Sequence, residues 1–186
     1  MNQLEFFCDK EFHAAALERG EYEQCRFVAC DLSGMDVGGW IFSDCVFEDC
    51  NLSLAKLEKT AFRKVEFVRC KMLGLRFENC NAFGLDLSFR DSQLDHSSFY
   101  RLKLKSSLFH QCRLLECDFS EADLSAADFS GSDCSGAQFD QCNLEKADFR
   151  SAVHYIIDPA NNRIKGARFS QDGLSGLLAT WGIVVD

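Results

Sequence analysis

Four aspartates, Asp118, Asp123, Asp128 and Asp133, recur at intervals of five in the stretch "CDFSEADLSAADFSGSDC". Carboxylates in a row can form a merely solvated face or present charge to a cationic surface. A period of five suits neither a helix nor a strand, so the choice between these depends on the fold. The eleven cysteines raise the same question. Zinc-ligand pairs stand about two to four residues apart, whereas Cys25/Cys30, Cys45/Cys50 and Cys112/Cys117 are five apart. An odd count, and no secretory pattern in "MNQLEFFCDK", argue against a disulfide framework. The thiols read as small buried hydrophobes. His13, His96, His110 and His154 do not pair at metal spacing, and His154 falls where a core residue is expected. No phosphate loop, G-x-S-x-G or H-E-x-x-H pattern occurs. The expectation is therefore no catalytic residue, no metal and no cofactor.

The period of five runs through most of the chain. A large apolar residue forms the centre of each unit, as at Phe27, Leu32, Val37, Phe42, Phe47, through Ala82, and again from Phe89 and Leu94 to Leu144 and Phe149. A small residue, such as Cys25, Ala55, Ser107 or Ala122, stands two positions before it. Phe27, Phe47 and Phe67 are twenty apart, as are Phe89, Phe109, Phe129, Phe149 and Phe169. Four fives per coil explain this. The reading is an all-β fold, a closed four-sided parallel β-helix in which one side stacks Phe on Phe. Its neighbour stacks Leu32, Leu52, Met72, Leu94 and Leu114. Each centre and the small residue before it point inward, as strand alternation requires.

The step from Phe67 to Phe89 is 22 residues, so two extra residues must bulge near Phe83, Gly84, Leu85 and Asp86. This loop is either a neutral surface feature or a contact site. Residues 1–19 read as an N-terminal cap segment, with "EFHAAALERG" a short helix or part of the cap, and residues 20–156 as the β-helix. Residues 157–186 read as a turn, a short helix and a dimerisation tail. In that tail Leu174, Leu177, Leu178, Trp181, Ile183 and Val184 are too apolar for a solvated cap. They plug the open core and are expected to pair two chains.

Net charge is −9 over 186 residues, which disfavours direct binding to nucleic acid or an anionic membrane. No stretch approaches transmembrane length, and a cytoplasmic protein is expected. The charge is banded: net −8 over residues 1–55, +6 over 56–115 and −8 over 116–148. Sequence order is axial order in a solenoid. The acids at 118, 123, 128 and 133 then fall on successive sides of one coil, making an acidic collar.

The units "ADLSA", "ADFSG" and "CNLEK" resemble the pentapeptide-repeat family. That resemblance implies a right-handed quadrilateral β-helix. "FEDCNLSL", "VEFVRCKMLGL" and the ending "HYIIDPANNRIKGARFSQDGLSGLLATWGIVVD" are similar to its topoisomerase-protecting branch, the Qnr-type quinolone-resistance proteins and the immunity proteins against albicidin and microcin B17. Membership of that branch implies a non-enzymatic homodimer, like duplex DNA in width and charge. It would bind DNA gyrase, and by extension topoisomerase IV, and relieve poisoning. The alternative is a repeat scaffold for an unrelated protein partner. Many Qnr-type relatives carry two long loops where this chain has only its short bulge, which resembles the immunity-type members.

Overall fold

A computed structural model describes the backbone at residues 4–7 and 11–13 and the chain in full from 17 to 183. Cys8 and Val184 lie outside the described residues. Two parallel sheets form two sides of the rod. One runs β1 (Leu4–Phe7), β3 (Gly20–Glu23), β5 (Ile41–Ser43), β7 (Ala61–Arg63). The other runs β2 (Glu11–His13), β4 (Arg26–Val28), β6 (Val46–Glu48), β8 (Val65–Val68), β9 (Leu87–Arg90), β10 (Leu108–His110). Single parallel bridges hold the remaining sides, as in the series Asp31, Asn51, Lys71, Gln93, Arg113, Asp133, Val153. The register is twenty, with Phe27 on Phe47 on Phe67, and it steps to 22 between Val65 and Leu87. Glu11–His13, one of the places where a short helix was the alternative to a cap, is a strand laid on β4.

Most corners are turned by one residue in the left-handed region. In succession these include Asp44, Asp49, Leu54, Lys59, Lys64, Arg69 and Gly74, with φ between 51° and 66°. Side chains on either side of the corner alternate in and out, so the centre and the small residue face the core. Phe27, Phe47, Phe67, Phe89, Phe109 and Phe129 are wholly buried. Their rings stack along the axis at 4.4–5.4 Å between centroids, near the ~4.8 Å spacing of hydrogen-bonded strands.

A second aromatic ladder accompanies the first. Tyr22, Phe42 and Phe62 stack on the fourth side of the early coils. From Phe77, just before the bulge, the ladder runs on the third side instead, through Phe99, Phe119 and Phe139. Both sets meet the first ladder edge to face, for example Phe42 on Phe47 and Phe99 on Phe109. The bulge causes the exchange. Ala82, expected at an inward centre, is exposed, and the fourth side has no aromatic at that level.

The corners also explain which small residues are polar. At many of them the turn closes on itself, as where Met35 N–H donates to the Leu32 carbonyl (3.0 Å). At others the next coil supplies a side chain that bridges the two open groups. Cys112 N–H donates to Ser132 Oγ (2.9 Å), whose hydroxyl donates to the Phe109 carbonyl (2.6 Å). Ser97 links Leu75 N–H and the Met72 carbonyl in the same way. Asn162 does so for Cys142 N–H and the Phe139 carbonyl, and Cys50 Sγ for Cys30 N–H and the Phe27 carbonyl. All ten described cysteines are buried.

His154 departs from the expected core position. Its φ is +58° and its ring lies outside, while Tyr155 and Ile157 turn inward, and Ile164 and Phe169 continue the core in the last coil. The short helix α1 (Ser175–Leu178) and a following 3-10 turn (Ala179–Trp181) close this end. Gly176 is required there, since an added Cβ would lie 2.2 Å from the Tyr155 carbonyl oxygen.

Two outcomes test this architecture. Ser132→Ala strands a buried N–H and a buried carbonyl, and should cost about 1–3 kcal/mol in urea unfolding. A loss below about 0.5 kcal/mol would mean that the bridge is dispensable. Burial pushes the Cys112 and Cys142 thiols up to about 12, so both should resist alkylation near neutral pH in the native protein and react after denaturation. Fast native labelling of either would place its side chain outside.

Candidate functional site

The collar aspartates stand immediately before a buried centre, at the outer surface and half-buried. Bridges place them on four different sides. Asp118 lies over Ser98, Asp123 over Lys103, Asp128 over Leu108 and Asp133 over Arg113. Each coil contact therefore sets a collar acid on a neutral or basic residue of the preceding coil. Of the four, only Asp128 has an acid in the next coil, Asp148.

Each acid first serves its own corner. Asp118, Asp123, Asp128 and Asp133 accept the backbone N–H two residues on, from Ser120, Ser125, Ser130 and Ser135, at 2.8–3.1 Å. This is the Asx-turn bond that Asp and Asn offer a tight turn. It uses one carboxylate oxygen and leaves the other for solvent or a partner.

Ion pairs then decide which acids remain uncompensated. Across the boundaries between bands, Lys64 meets Asp44 (3.2 Å) and Arg69 meets Asp49 (2.8 Å). Arg101 meets Glu121 (2.7 Å) and His96 meets Glu116 (3.2 Å). Toward the C-terminal end, Arg163 pairs with Glu145 (2.8 Å), and Asp148 lies between Arg150 and Arg168. Arg150, by hydrogen bonding, is the main reason that the Asp148 carboxyl is held below its ordinary value. Asp133 contacts His154 Nδ1 at 2.9 Å. Partial burial raises its carboxyl, but the Ser135 hydroxyl and His154 outweigh that and bring it below the ordinary 3.8. Asp118, Asp123 and Asp128 have no ion-pair partner among the described residues. Arg150 senses Asp128 at longer range but is committed to Asp148. The collar thus reduces to three unpaired carboxylates on three successive sides, with Asp133 partly balanced.

The other expected site residues are dispersed. Phe83 projects from the bulge and is 79% exposed, while Leu85 folds back on the core. Asn81 accepts the Phe83 N–H, and Gly84 has φ +71°, with Arg63 beside it. Asp86 is tied to the coil below through its N–H to the Phe62 carbonyl. At the C-terminal end Leu174, Trp181 and Ile183 are 45%, 57% and 49% exposed. Leu178 is half-buried, and Leu177 packs on the core. An open cavity of about 730 Å³ lies between α1 and residues Val153, His154 and Ile156. Two exposed features escaped the sequence pattern. Leu54, which occupies a corner, is 68% exposed. Ile156 is left outside by the slip at His154, and Val153 holds the regular outward position over Asp133. The signal for Leu54 was available, because every other left-handed corner residue that is not glycine is polar, charged or alanine.

Among the described residues no three His, Cys, Asp or Glu side chains are grouped to hold a metal, and no described helix is long and apolar enough to cross a membrane. The arrangement offers charge and shape on a rigid rod.

Comparison with known proteins agrees with this geometry. Family models described as pentapeptide repeat region match residues 21–99 and 40–116, and one described as pentapeptide repeats (8 copies) matches 117–153. No curated protein matches the chain. Among solved structures, two trypsin-treated point variants of QnrB1, titled a plasmid-mediated fluoroquinolone resistance protein, superpose over 95% of this chain. One has a TM-score of 0.66 at 19% identity, over 97% of its own chain. The second has 0.61 at 20% identity, over 95% of its own chain. Repeat, register and fold agree, and the chain belongs to the pentapeptide-repeat family.

Proposed function

We propose that this chain is a non-enzymatic protector of a type II DNA topoisomerase, binding DNA gyrase and by extension topoisomerase IV through the acidic collar and relieving a topoisomerase poison. The observation that carries the reading is the set of Asp118, Asp123 and Asp128, three carboxylates without an ion-pair partner on consecutive sides of one coil. A protein surface that grips duplex DNA is basic, and a stiff acidic rod is complementary to it. The whole rod is a poor match for DNA charge. Nine net charges over about seven coils, or about 35 Å, give roughly one per 4 Å, against one per about 1.7 Å in DNA. The 116–148 band concentrates net −8 in under two coils, and so supplies the stronger local field.

Two copies would meet through the C-terminal end, where Leu174, Trp181 and Ile183 stand exposed beside the half-buried Leu178. Each collar then lies close to the dyad, and a two-fold partner sees both at once. The bulge at Phe83–Asp86 is on another level and contributes a second, smaller contact. The fold likeness to QnrB1 supports the reading at the level of architecture.

The triple substitution Asp118→Asn, Asp123→Asn and Asp128→Asn keeps the turn-capping oxygen and removes three charges. Its association with gyrase should slow about tenfold at low salt and lose most of its salt dependence, with thermal stability unchanged. Wild-type association rates in that variant would reduce the collar to a solvated surface. Gyrase supercoiling assays with quinolone, albicidin and microcin B17 separate this function from a scaffold role. Protection from none of the three, with no effect on supercoiling, favours the scaffold.

Trp181→Ser combined with Leu174→Ser should convert dimers to monomers in analytical ultracentrifugation while circular dichroism stays unchanged. A dimer that survives the double substitution would place the interface elsewhere.

A further inference from the structure

Leu54 holds a corner with φ +59° and is 68% exposed. Among the described residues it is the only large apolar side chain at a left-handed corner; the others are glycine, alanine, polar or charged. The corners of the coils below and above it are Gly34 and Gly74, both glycines, and its Cδ2 lies 3.0 Å from the position of a Cβ on Gly74. Leu54 therefore stands alone along that edge. Leu73 and Met35, both half-buried, extend the apolar surface at its base.

The same edge is basic. Lys71 occupies the side before the Gly74 corner, and Lys56 and Arg76 the side after the Leu54 and Gly74 corners. None of the three has an acidic partner within the ion-pair distance among the described residues. Asp36 lies under Lys56 in the register, but its carboxylate turns to the Gly38 N–H instead. Glu58 and Glu78 follow Lys56 and Arg76 by two residues on the same side, and Glu78 and Asp118 line one open cleft with Arg76 without an ion-pair contact to it. Of the nine other cations of this band, Lys64, Arg69, Arg90, Arg101 and Arg113 are ion-paired, whereas Lys59, Arg63, Lys103 and Lys105 have no ion pair among the described residues. Lys56, Lys71 and Arg76 are distinguished by flanking an exposed leucine.

We propose that Leu54 and its ring of Lys56, Lys71 and Arg76 form a docking knob for an acidic protein segment that presents an apolar pocket or an apolar side chain within a run of Asp and Glu. The corner conformation is common to the whole rod, but the hydrocarbon that Leu54 exposes there gains nothing from the rod's own core, and burial in a partner would take it out of water. Charge complementarity selects an acidic partner and steers it. A membrane is the weaker fit, since one inserted leucine anchors poorly and the net charge opposes an anionic bilayer. The knob lies on a different level from the collar, and the inference does not rest on the topoisomerase reading.

Leu54→Gly is an unusually clean probe, because the left-handed corner tolerates glycine at least as well as leucine. The binding measurement uses fluorescent peptides of Asp, Glu and Ser with a central Leu-Phe-Leu, and the same peptides with that triplet replaced by Ser. Full-length protein should bind the apolar-centred peptide saturably and more weakly as salt rises. Leu54→Gly should lower affinity about tenfold, the worth of one buried leucine. Lys71→Glu with Arg76→Glu should abolish binding, and Lys146→Glu, on another level, should not. Equal affinity in wild type and Leu54→Gly would overturn the proposal, as would no binding of either peptide. Binding of phosphatidylserine vesicles by wild type but not by Leu54→Gly would overturn it in favour of a membrane contact.

Discussion

A chain that turns a corner every five residues must put a left-handed residue at nearly every corner and satisfy the backbone groups that the corner leaves open. The rest of this structure follows from that requirement. Only some corners are glycine; Asp44, Asp49, Lys59, Lys64 and Arg69 all hold φ above 50° with a Cβ present. Each such residue costs on the order of 1 kcal/mol. The cost is offset by what the corner makes possible, a core narrow enough for aromatic rings to stack directly on rings of the coil below. It is also spread along the rod, because each coil leans only on its neighbours.

The same constraint sets how much was legible in the sequence. Phe27, Phe47 and Phe67 against Phe89, Phe109 and Phe129 give both the twenty-residue coil and the two-residue bulge, because inward positions tolerate so few residue types. The second ladder follows the same spacing, but its exchange from the fourth side to the third depends on how the bulge packs. There Ala82 swings out, and Phe77 begins a new stack. His154 misled for a related reason. A strict count of five puts it at a centre, yet the register slips there, Tyr155 and Ile157 turn inward instead, and the twenty-residue register resumes at Arg163 and Arg168. The collar was legible in its placement, since period five assigns each aspartate a side. Which of its charges are compensated was not, because His154 reaches Asp133 from the next coil at a separation of 21 residues.

Charge along the rod obeys the vertical register. Ion pairs join residues one coil apart at corners, Arg69 to Asp49, Arg101 to Glu121 and His96 to Glu116, so acidic and basic bands neutralise each other where they touch. Such exposed pairs contribute little to stability individually. Their larger effect is on the surface potential, which they flatten at the band edges and leave intact in the interior of the 116–148 band. A net charge read by summing the sequence therefore overstates some levels of the rod and understates others.

The outward position before each centre shows how one residue can serve the fold and a partner at once. Its side-chain oxygen accepts the N–H two residues on. Asn does this as well as Asp, at Asn51 to Ser53, Asn81 to Phe83 and Asn143 to Glu145. Capping the turn therefore does not require charge. At Asp148 the charge has a structural use, since Arg150 and Arg168 close on it. At Asp118, Asp123 and Asp128 no such use exists among the described residues, although the neutral amide is available and is used in the same geometry within one coil, at Asn143 directly above Asp123. What remains at those three positions is a charge that turn capping does not need and that no described ion pair compensates, since Asn143 and Ser130 give Asp123 and Asp128 only neutral hydrogen bonds.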